Sequence, residues 1–493
     1  MTDRALYRVL EMIPGTLVWS TFLLTIVLSI LKPLWAIYFI ILFDLYWLIR
    51  VLYFIFYLVV SWMVYRKHIK QDWGQALTER HPRFEKIYHV IFLPFYREGY
   101  EVVKNTFEEL LKIDYDLKKI IIVLGGEERA QENALDVSRR IASEYSHHFH
   151  SFLITMHPAN SPGELQGKGA NANFMGHEAK KHIDHLGIPY EHLIVSYFDI
   201  DTVTHQQYFS YLTYKYLSQK HPTRHSYQPV ALYNNNIWES NPVTRVAAFG
   251  TTFWLFAELA RPDRLYTFSS HSMSWQALVD VDFWQKDIVT DDSRIFLQCF
   301  FHYHGNYSTV PMYIPVSMDT VDGDSIWQCL KNLYKQQRRW AWGVEHFPYL
   351  IFNFRKDKKI PWKKKFKYTL NLLEGMYSWA TAPIIIFTLG RLPLYFVTPS
   401  ESSTVLVQNT PFILEWLLRL AMVGIFASVI LSLLLLPQRP RTKKPYHWLI
   451  MLLQWALLPI TLMLFGSIPA VDAQTRLMLG KHLGFFNTPK KRP

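Results

Sequence analysis

Two carboxylates, Asp199 and Asp201, close the run LIVSYFDID (193–201). Apolar residues running straight into Asp-x-Asp describe a buried strand whose end carries two hard oxygen donors. Both acids can reach one divalent cation that also binds phosphate oxygens, as Mg²⁺ and Mn²⁺ do. The same tripeptide also makes an ordinary capped turn. Upstream, in GELQGKGANANF (163–174), glycines surround Lys168 and are followed by Asn171 and Asn173. Such a loop lets backbone approach a diphosphate while the ammonium holds its charge. It has neither P-loop nor G-x-G-x-x-G spacing, and a flexible loop is the plain alternative. In VTDDSRIF (289–296) two adjacent acids open a helical pattern. They suit the free N–H groups and dipole of a helix start, or one serves as a general base toward an attacking hydroxyl. In KQQRRWAWG (335–343), Gln336, Arg339 and Trp340 stand at i, i+3 and i+4 and share one helical face.

Each candidate needs an element to hold it. HVIFLPF (89–95), KKIIIVLGG (118–126), HSFLITMH (150–157) and LIVSYFDID read as buried strands. Between them, stretches such as EVVKNTFEELLKI (101–113) have helical spacing. Continuous apolar strands alternating with helices predict an α/β domain on a mostly parallel sheet. Ligands of such sheets sit at the carboxyl ends of the strands, where Asp-x-Asp falls. Ile326, Leu330 and Leu333 extend the Gln336 face into an amphipathic helix ahead of a basic linker and an apolar span. That is the setting of a bilayer-surface helix.

Half of the 493 residues are apolar, concentrated in 14–65 and 371–470, while 66–360 has ordinary soluble composition. Two membrane regions therefore flank one globular part. The net charge is +12, and much of the excess flanks apolar spans in RKDKKIPWKKKFK (355–367), RPRTKK (439–444) and KKR (490–492). This charge reads as juxtamembrane, on the cytoplasmic side against anionic lipid, and not as a nucleic-acid surface. Cys299 and Cys329 make neither a disulfide framework nor a zinc site. No short apolar stretch with a small-residue cleavage site opens the chain, so the first span is expected to stay. A bilayer needs about 20 apolar helical residues. Residues 15–31 form a near-minimal span, and 34–65, with Asp44 and Arg50 inside, form one long tilted helix. Segments 371–396, 411–436 and 446–469 follow. Four crossings satisfy the positive-inside rule, whereas a fifth leaves the basic C-terminus outside. Either 446–469, with Pro459 at its centre, is re-entrant, or an earlier segment is not a simple crossing.

In order and spacing, Asp199-Ile-Asp201, Thr290-Asp291-Asp292 and Gln336-Gln-Arg-Arg339-Trp340 resemble the motifs of processive membrane-integrated family 2 glycosyltransferases, the cellulose synthase and hyaluronan synthase type. The resemblance covers about 90–345 plus the membrane arrangement. It implies a GT-A-like, mostly parallel sheet domain inserted between N- and C-terminal transmembrane helices, with amphipathic interface helices. The implied divisions are two transmembrane helices in 1–70, a cytosolic GT-A domain in 71–320, interface helices in 321–369, a transmembrane region in 370–470 and a basic cytosolic tail in 471–493. The implied activity is inverting transfer of a hexose from a nucleotide-sugar, a UDP-sugar by expectation, to a glycan or lipid acceptor. The implied location is the inner or plasma membrane, in contact with membrane lipid, with the catalytic domain in the cytoplasm.

By position, Asp199 and Asp201 would hold Mg²⁺ or Mn²⁺ on the donor diphosphate, and Asp292 would be the catalytic base. Lys168 and either Glu127 or Glu128 would contact the nucleotide. Gln336, Arg339 and Trp340 would shape the acceptor site. Thr-Asp-Asp replaces the usual Thr-Glu-Asp and keeps the base, while GGEER (125–129) offers glutamate where the family has aspartate. SSHSMSW (269–275) replaces a glycine-rich acceptor region, and PFYRE (94–98) stands where the family has Pro-x-x-Asn-Glu. The tail FFNTPK (485–490) is similar to the Phe-x-Val-Thr-x-Lys gating loop, which would bring Thr488 and Lys490 to the diphosphate. A tail in that role must be cytosolic, which favours a re-entrant 446–469. Two other readings share parts of the pattern. Single-sugar transfer to a polyprenyl phosphate uses the same Asp-x-Asp and fold, and a catalytically silent membrane scaffold would have no need of the intact acids.

Overall fold

Strands β1 (Tyr88–Pro94), β2 (Ile120–Glu127), β3 (Ser151–His157), β4 (Leu193–Tyr197), β5 (Val203–Thr204), β6 (His225–Tyr233), β7 (His271–Ser274) and β8 (Ser308–Met318) form one sheet in the computed structural model, which describes residues 2–130 and 132–488. Their order is β3-β2-β1-β4-β7-β6-β8-β5. β1 to β4 pair in parallel, as the continuous apolar runs predict. β7 then runs antiparallel to both β4 and β6, and β6 returns to a parallel pairing with β8. The sheet is therefore mixed, with its longest ladders parallel.

Strands β1, β2 and β4 are almost wholly apolar because both faces are covered. Every residue of IIIVLGGE in β2 is buried. Alternate side chains enter different cores, as strand geometry requires. Ile91, Leu93, Ile122 and Leu124 pack with Phe107 on one face. Val90, Phe92, Ile121 and Val123 pack with Met175 and Phe296 on the other. The second core seats the two helices that matter for the site, Lys168–Leu186 and Asp291–His302.

Five helical segments are long and apolar enough to cross a bilayer: Asp3–Leu31, Pro33–His68, Trp362–Tyr395, Val405–Leu435 and His447–Met478. The break between the first two falls at Lys32-Pro33, where proline takes the first helical position. The second helix outruns a bilayer because its last turns join the domain. Leu58 and Tyr65 enter the first core, and Tyr65 meets Phe256 edge to face at 5.3 Å. Asp44 and Arg50, the charges within its apolar part, face protein. Arg50 pairs with Glu374 at 3.0 Å, and Asp44 is buried.

The last of the five begins and ends against the same domain. Just before it, the Pro437 carbonyl accepts a hydrogen bond from Trp238 Nε1 at 3.1 Å, and Trp448 lies 5.4 Å from the Trp238 ring. The segment is broken by a tight turn at Gln454–Leu457 and a wide one at Met463–Ser467. At its far point Met463 meets Thr388 and Ser467 donates to the Trp379 carbonyl at 2.9 Å. It returns as Ile468–Met478, whose Asp472 pairs with Arg338 of the Ile326–Ala341 helix at 2.8 Å. Both ends of this segment thus contact the globular domain.

Candidate active site

β4 stops at Tyr197, and its two acids follow in the loop at the sheet's carboxyl edge. A cleft opens there. It is walled by the ends of β1, β2, β6 and β8, the first turn of the Lys168–Leu186 helix, one face of the Ile326–Ala341 helix, and the tail residues Phe485, Asn487 and Thr488.

Lys168 is the centre of its charge. The ammonium lies 2.8 Å from Asp199, 3.1 Å from Asp292 and 4.0 Å from the centroid of the Tyr197 ring. Burial alone would discharge it, but the Asp199, Asp292 and Asp291 carboxylates outweigh that effect and hold its pKa above the ordinary value. Asn171, one turn on, donates to the Gly125 carbonyl at 3.0 Å and ties this helix start to the end of β2. Asn173 does not reach the cleft; its amide donates to the Trp284 carbonyl at 2.7 Å.

The adjacent acids 291 and 292 have separate surroundings. Asp291 is buried and accepts a 2.6 Å hydrogen bond from the Tyr197 hydroxyl. Burial, and then the Asp292 charge, push it up to about 7, against the pull of Lys168 and Tyr197. Asp292 lines the cleft, while its carbonyl is held by the Thr267 hydroxyl at 2.6 Å.

Asp199 also lines the cleft, bonded to Lys168 and to the Ser269 hydroxyl. Asp201 lies beneath it with no exposed surface, and its carboxylate accepts from the Asp319 main-chain N–H at 2.8 Å. Asp319 lines the cleft from the end of β8. Sequence reasoning missed it because only long-range pairing brings β8 to this edge; the one signal was an acid closing an apolar run. Asp199, Asp201 and Asp319 are oxygen donors of the kind Mg²⁺ and Mn²⁺ take. Among the described residues no group of three or more acids, histidines or cysteines is arranged to hold a metal unaided. Asp199 and Asp319 line the cleft and suit a cation that takes its remaining ligands from diphosphate and water, while Asp201 is buried behind them on the Asp319 N–H.

Of the two glutamates, only Glu127 lines the cleft, buried and paired with Arg129, whose guanidinium sits 4.3 Å from the centroid of the Tyr96 ring. Glu128 is exposed and accepts from the Ala159 N–H at 3.2 Å instead. β2 ends at Glu127, and the turn that follows carries Glu128 outward.

Gln336, Arg339 and Trp340 all line the cleft, as one helical face should. Ser325 caps that helix by accepting from the Gln328 N–H. Trp340 and Tyr233 stand 5.9 Å apart as neighbouring aromatic walls. Arg339 sits 4.9 Å from the centroid of the Phe485 ring, and Phe485 packs on Gly167 so closely that a Cβ there would lie 2.7 Å from it. Thr488 is buried in the same wall, and Lys490 lies outside the described residues.

The model of the glycosyl transferase family group 2 matches residues 194–470, more than half of the chain, and the chain belongs to this family. Membership and the sheet order agree with the expected GT-A-like α/β fold. No curated protein matches it in sequence. The mannosyltransferase PcManGT from Pyrobaculum calidifontis, solved with GDP-Man and Mn²⁺, is similar in structure with a TM-score of 0.43 and 14% identity over 87% of this chain and all of that one. S. aureus TarS 1–349, solved with UDP-GlcNAc, is similar with a TM-score of 0.36 and 9% identity over 70% of this chain and 91% of that one.

Proposed function

We propose that this chain is a membrane-bound inverting hexosyltransferase that moves a sugar from a nucleotide-diphospho-sugar, a UDP-sugar, to a glycan acceptor and so builds a polysaccharide. The observation that carries the reading is Lys168 held between Asp199 and Asp292, facing the Gln336–Arg339–Trp340 face across one cleft. Asp292 takes the proton of the acceptor hydroxyl as that oxygen attacks the anomeric carbon. Lys168, 3.1 Å from Asp292, supplies with Arg339 positive charge for the departing diphosphate. Bound Mg²⁺ or Mn²⁺ would neutralise the leaving diphosphate, and Asp199, Asp201 and Asp319 are the residues that would hold it. Glu127 faces the nucleotide, and Gln336, Trp340 and Tyr233 shape the wall against which the acceptor sugar stacks. One displacement, with no covalent enzyme intermediate, inverts the anomeric centre.

The basic flanks and a tail folded into the cleft support a cytoplasmic catalytic domain at the inner or plasma membrane. The test is a panel of UDP- and GDP-sugars with Mg²⁺ or Mn²⁺, read as nucleoside diphosphate release and product size. Long glycan products are expected. A single sugar on a polyprenyl phosphate overturns the polysaccharide assignment, and no release with any donor overturns enzymatic function.

A further inference from the structure

Thr290 stands at the N-cap of the Asp291–His302 helix but does not cap it. A threonine there ordinarily accepts a hydrogen bond from the second or third helical N–H, worth about 1 kcal/mol. Here its hydroxyl donates to Glu345 Oε1 at 2.6 Å, and its main-chain N–H points to the same oxygen at 3.3 Å. The other oxygen of Glu345 accepts from Trp342 Nε1 at 2.9 Å. Glu345 lies in the turn that directly follows the Ile326–Ala341 helix. One carboxylate thus joins the residue before the acid pair to the turn that ends the acceptor-side helix.

The next residue repeats the link. His346 Nδ1 accepts from Arg294 Nε at 3.2 Å, which leaves the proton on Nε2 to bond the Ser293 hydroxyl at 2.7 Å. Arg294 is itself fixed by Gln285 at 2.8 Å and lies 3.9 Å from the centroid of the Tyr349 ring. Local capping is given up while a polar bridge is kept, and breaking a local rule in this way marks a place where position matters more than stability.

We infer that Glu345 is a positioning residue: through Thr290 it fixes the first turn carrying Asp292 relative to the helix carrying Gln336, Arg339 and Trp340. Glu345 does not line the cleft and touches no reacting atom. The inference rests on Asp292 being the base. A base displaced by about 1 Å from its hydroxyl can lose on the order of a hundredfold in rate, while Glu127 and the start of the Lys168–Leu186 helix, on the nucleotide side of the cleft, are held by other elements.

The test uses the full-length protein in lipid nanodiscs, with Thr290→Val, Thr290→Ser, Glu345→Gln, the Thr290→Val/Glu345→Gln pair, and Asp292→Asn. Thr290→Val keeps the shape but removes the hydroxyl; Thr290→Ser keeps it. Glu345→Gln can face Thr290 or Trp342 with an acceptor, but not both. The expected result is a kcat at least about tenfold lower for Thr290→Val and Glu345→Gln. UDP affinity and donor KM should stay within about twofold, Thr290→Ser should restore the rate, and the double variant should be no slower than either single one. Unchanged kcat in Thr290→Val, failure of Thr290→Ser to restore it, or multiplicative losses in the double variant would overturn the inference. An active Asp292→Asn would instead sink the base assignment, and the inference with it.

Discussion

Asp291 and Asp292 are neighbours with opposite surroundings, and the difference predicts opposite phenotypes. Asp292 faces the cleft and Lys168, while Asp291 is buried against the Tyr197 hydroxyl. Asp292→Asn removes the only member of the pair that can reach an acceptor. Transfer should fall by about a hundredfold or more, the usual worth of a general base, with UDP affinity nearly unchanged. Asp291→Asn leaves an amide oxygen that still accepts from Tyr197 and should retain substantial transfer. Nucleoside diphosphate release beside UDP titration checks both. A dead Asp291→Asn with an active Asp292→Asn would mean that the wrong carboxylate was assigned. Sequence could bring the pair to one helix start. Which acid faces the cleft depends on Tyr197 and Thr267, 94 and 25 residues away along the chain.

At the scale of elements, buried histidines predict acid sensitivity. His89 of β1 is fully buried on Thr213 at 2.8 Å, and burial pushes its pKa down to about 3. His271 of β7, bonded to the Phe268 carbonyl, is pushed down to about 4, chiefly by burial. In the unfolded chain both titrate near 6.5. Below that pH the unfolded state binds protons that the fold refuses, so stability is complete above about 6.5 and is lost as pH falls toward the folded values. The slope is on the order of 1 kcal/mol per pH unit for each histidine. Melting temperature should therefore drop between pH 7 and pH 5, and His89→Gln, which keeps a partner for Thr213, should flatten the drop; equal slopes would refute this. β1 to β4 were legible because covered parallel strands are continuous apolar runs. β7 was not: its four residues lie within SSHSMSW, which reads as a polar loop. β8 carries Pro311 and Pro315 and so lacks a clean strand signal. Tyr233 and Asp319 stayed hidden with these strands, because only sheet pairing brings them to the cleft.

For the whole molecule, the decisive feature is that residues 485–488 return to the candidate cleft. A fifth crossing would place the tail across the bilayer from the domain, whereas the segment before it starts at Trp238 and ends at Arg338. The Ile468–Met478 helix and the tail after it are both held against the domain. Asp472 anchors the helix to Arg338, and the Leu477 carbonyl is held by Arg8 at 2.8 Å. From there Phe485 reaches Gly167 and Arg339, and Lys335 sits 4.7 Å from the centroid of the Phe486 ring. A basic tail touching only anionic lipid would make none of these contacts. Removing residues 484–493 should leave insertion and folding intact, because Ile468–Met478 keeps its own anchors. Turnover should fall, and the donor concentration for half-maximal rate should rise several-fold, since losing one or two contacts to phosphate is worth about 1 to 3 kcal/mol. Equal kinetics in the truncated protein would leave the tail no part in donor binding. Labelling a C-terminal tag with an impermeant reagent from outside intact cells would overturn the re-entrant reading of 446–469, because a tail on that face cannot enter a cleft on the other.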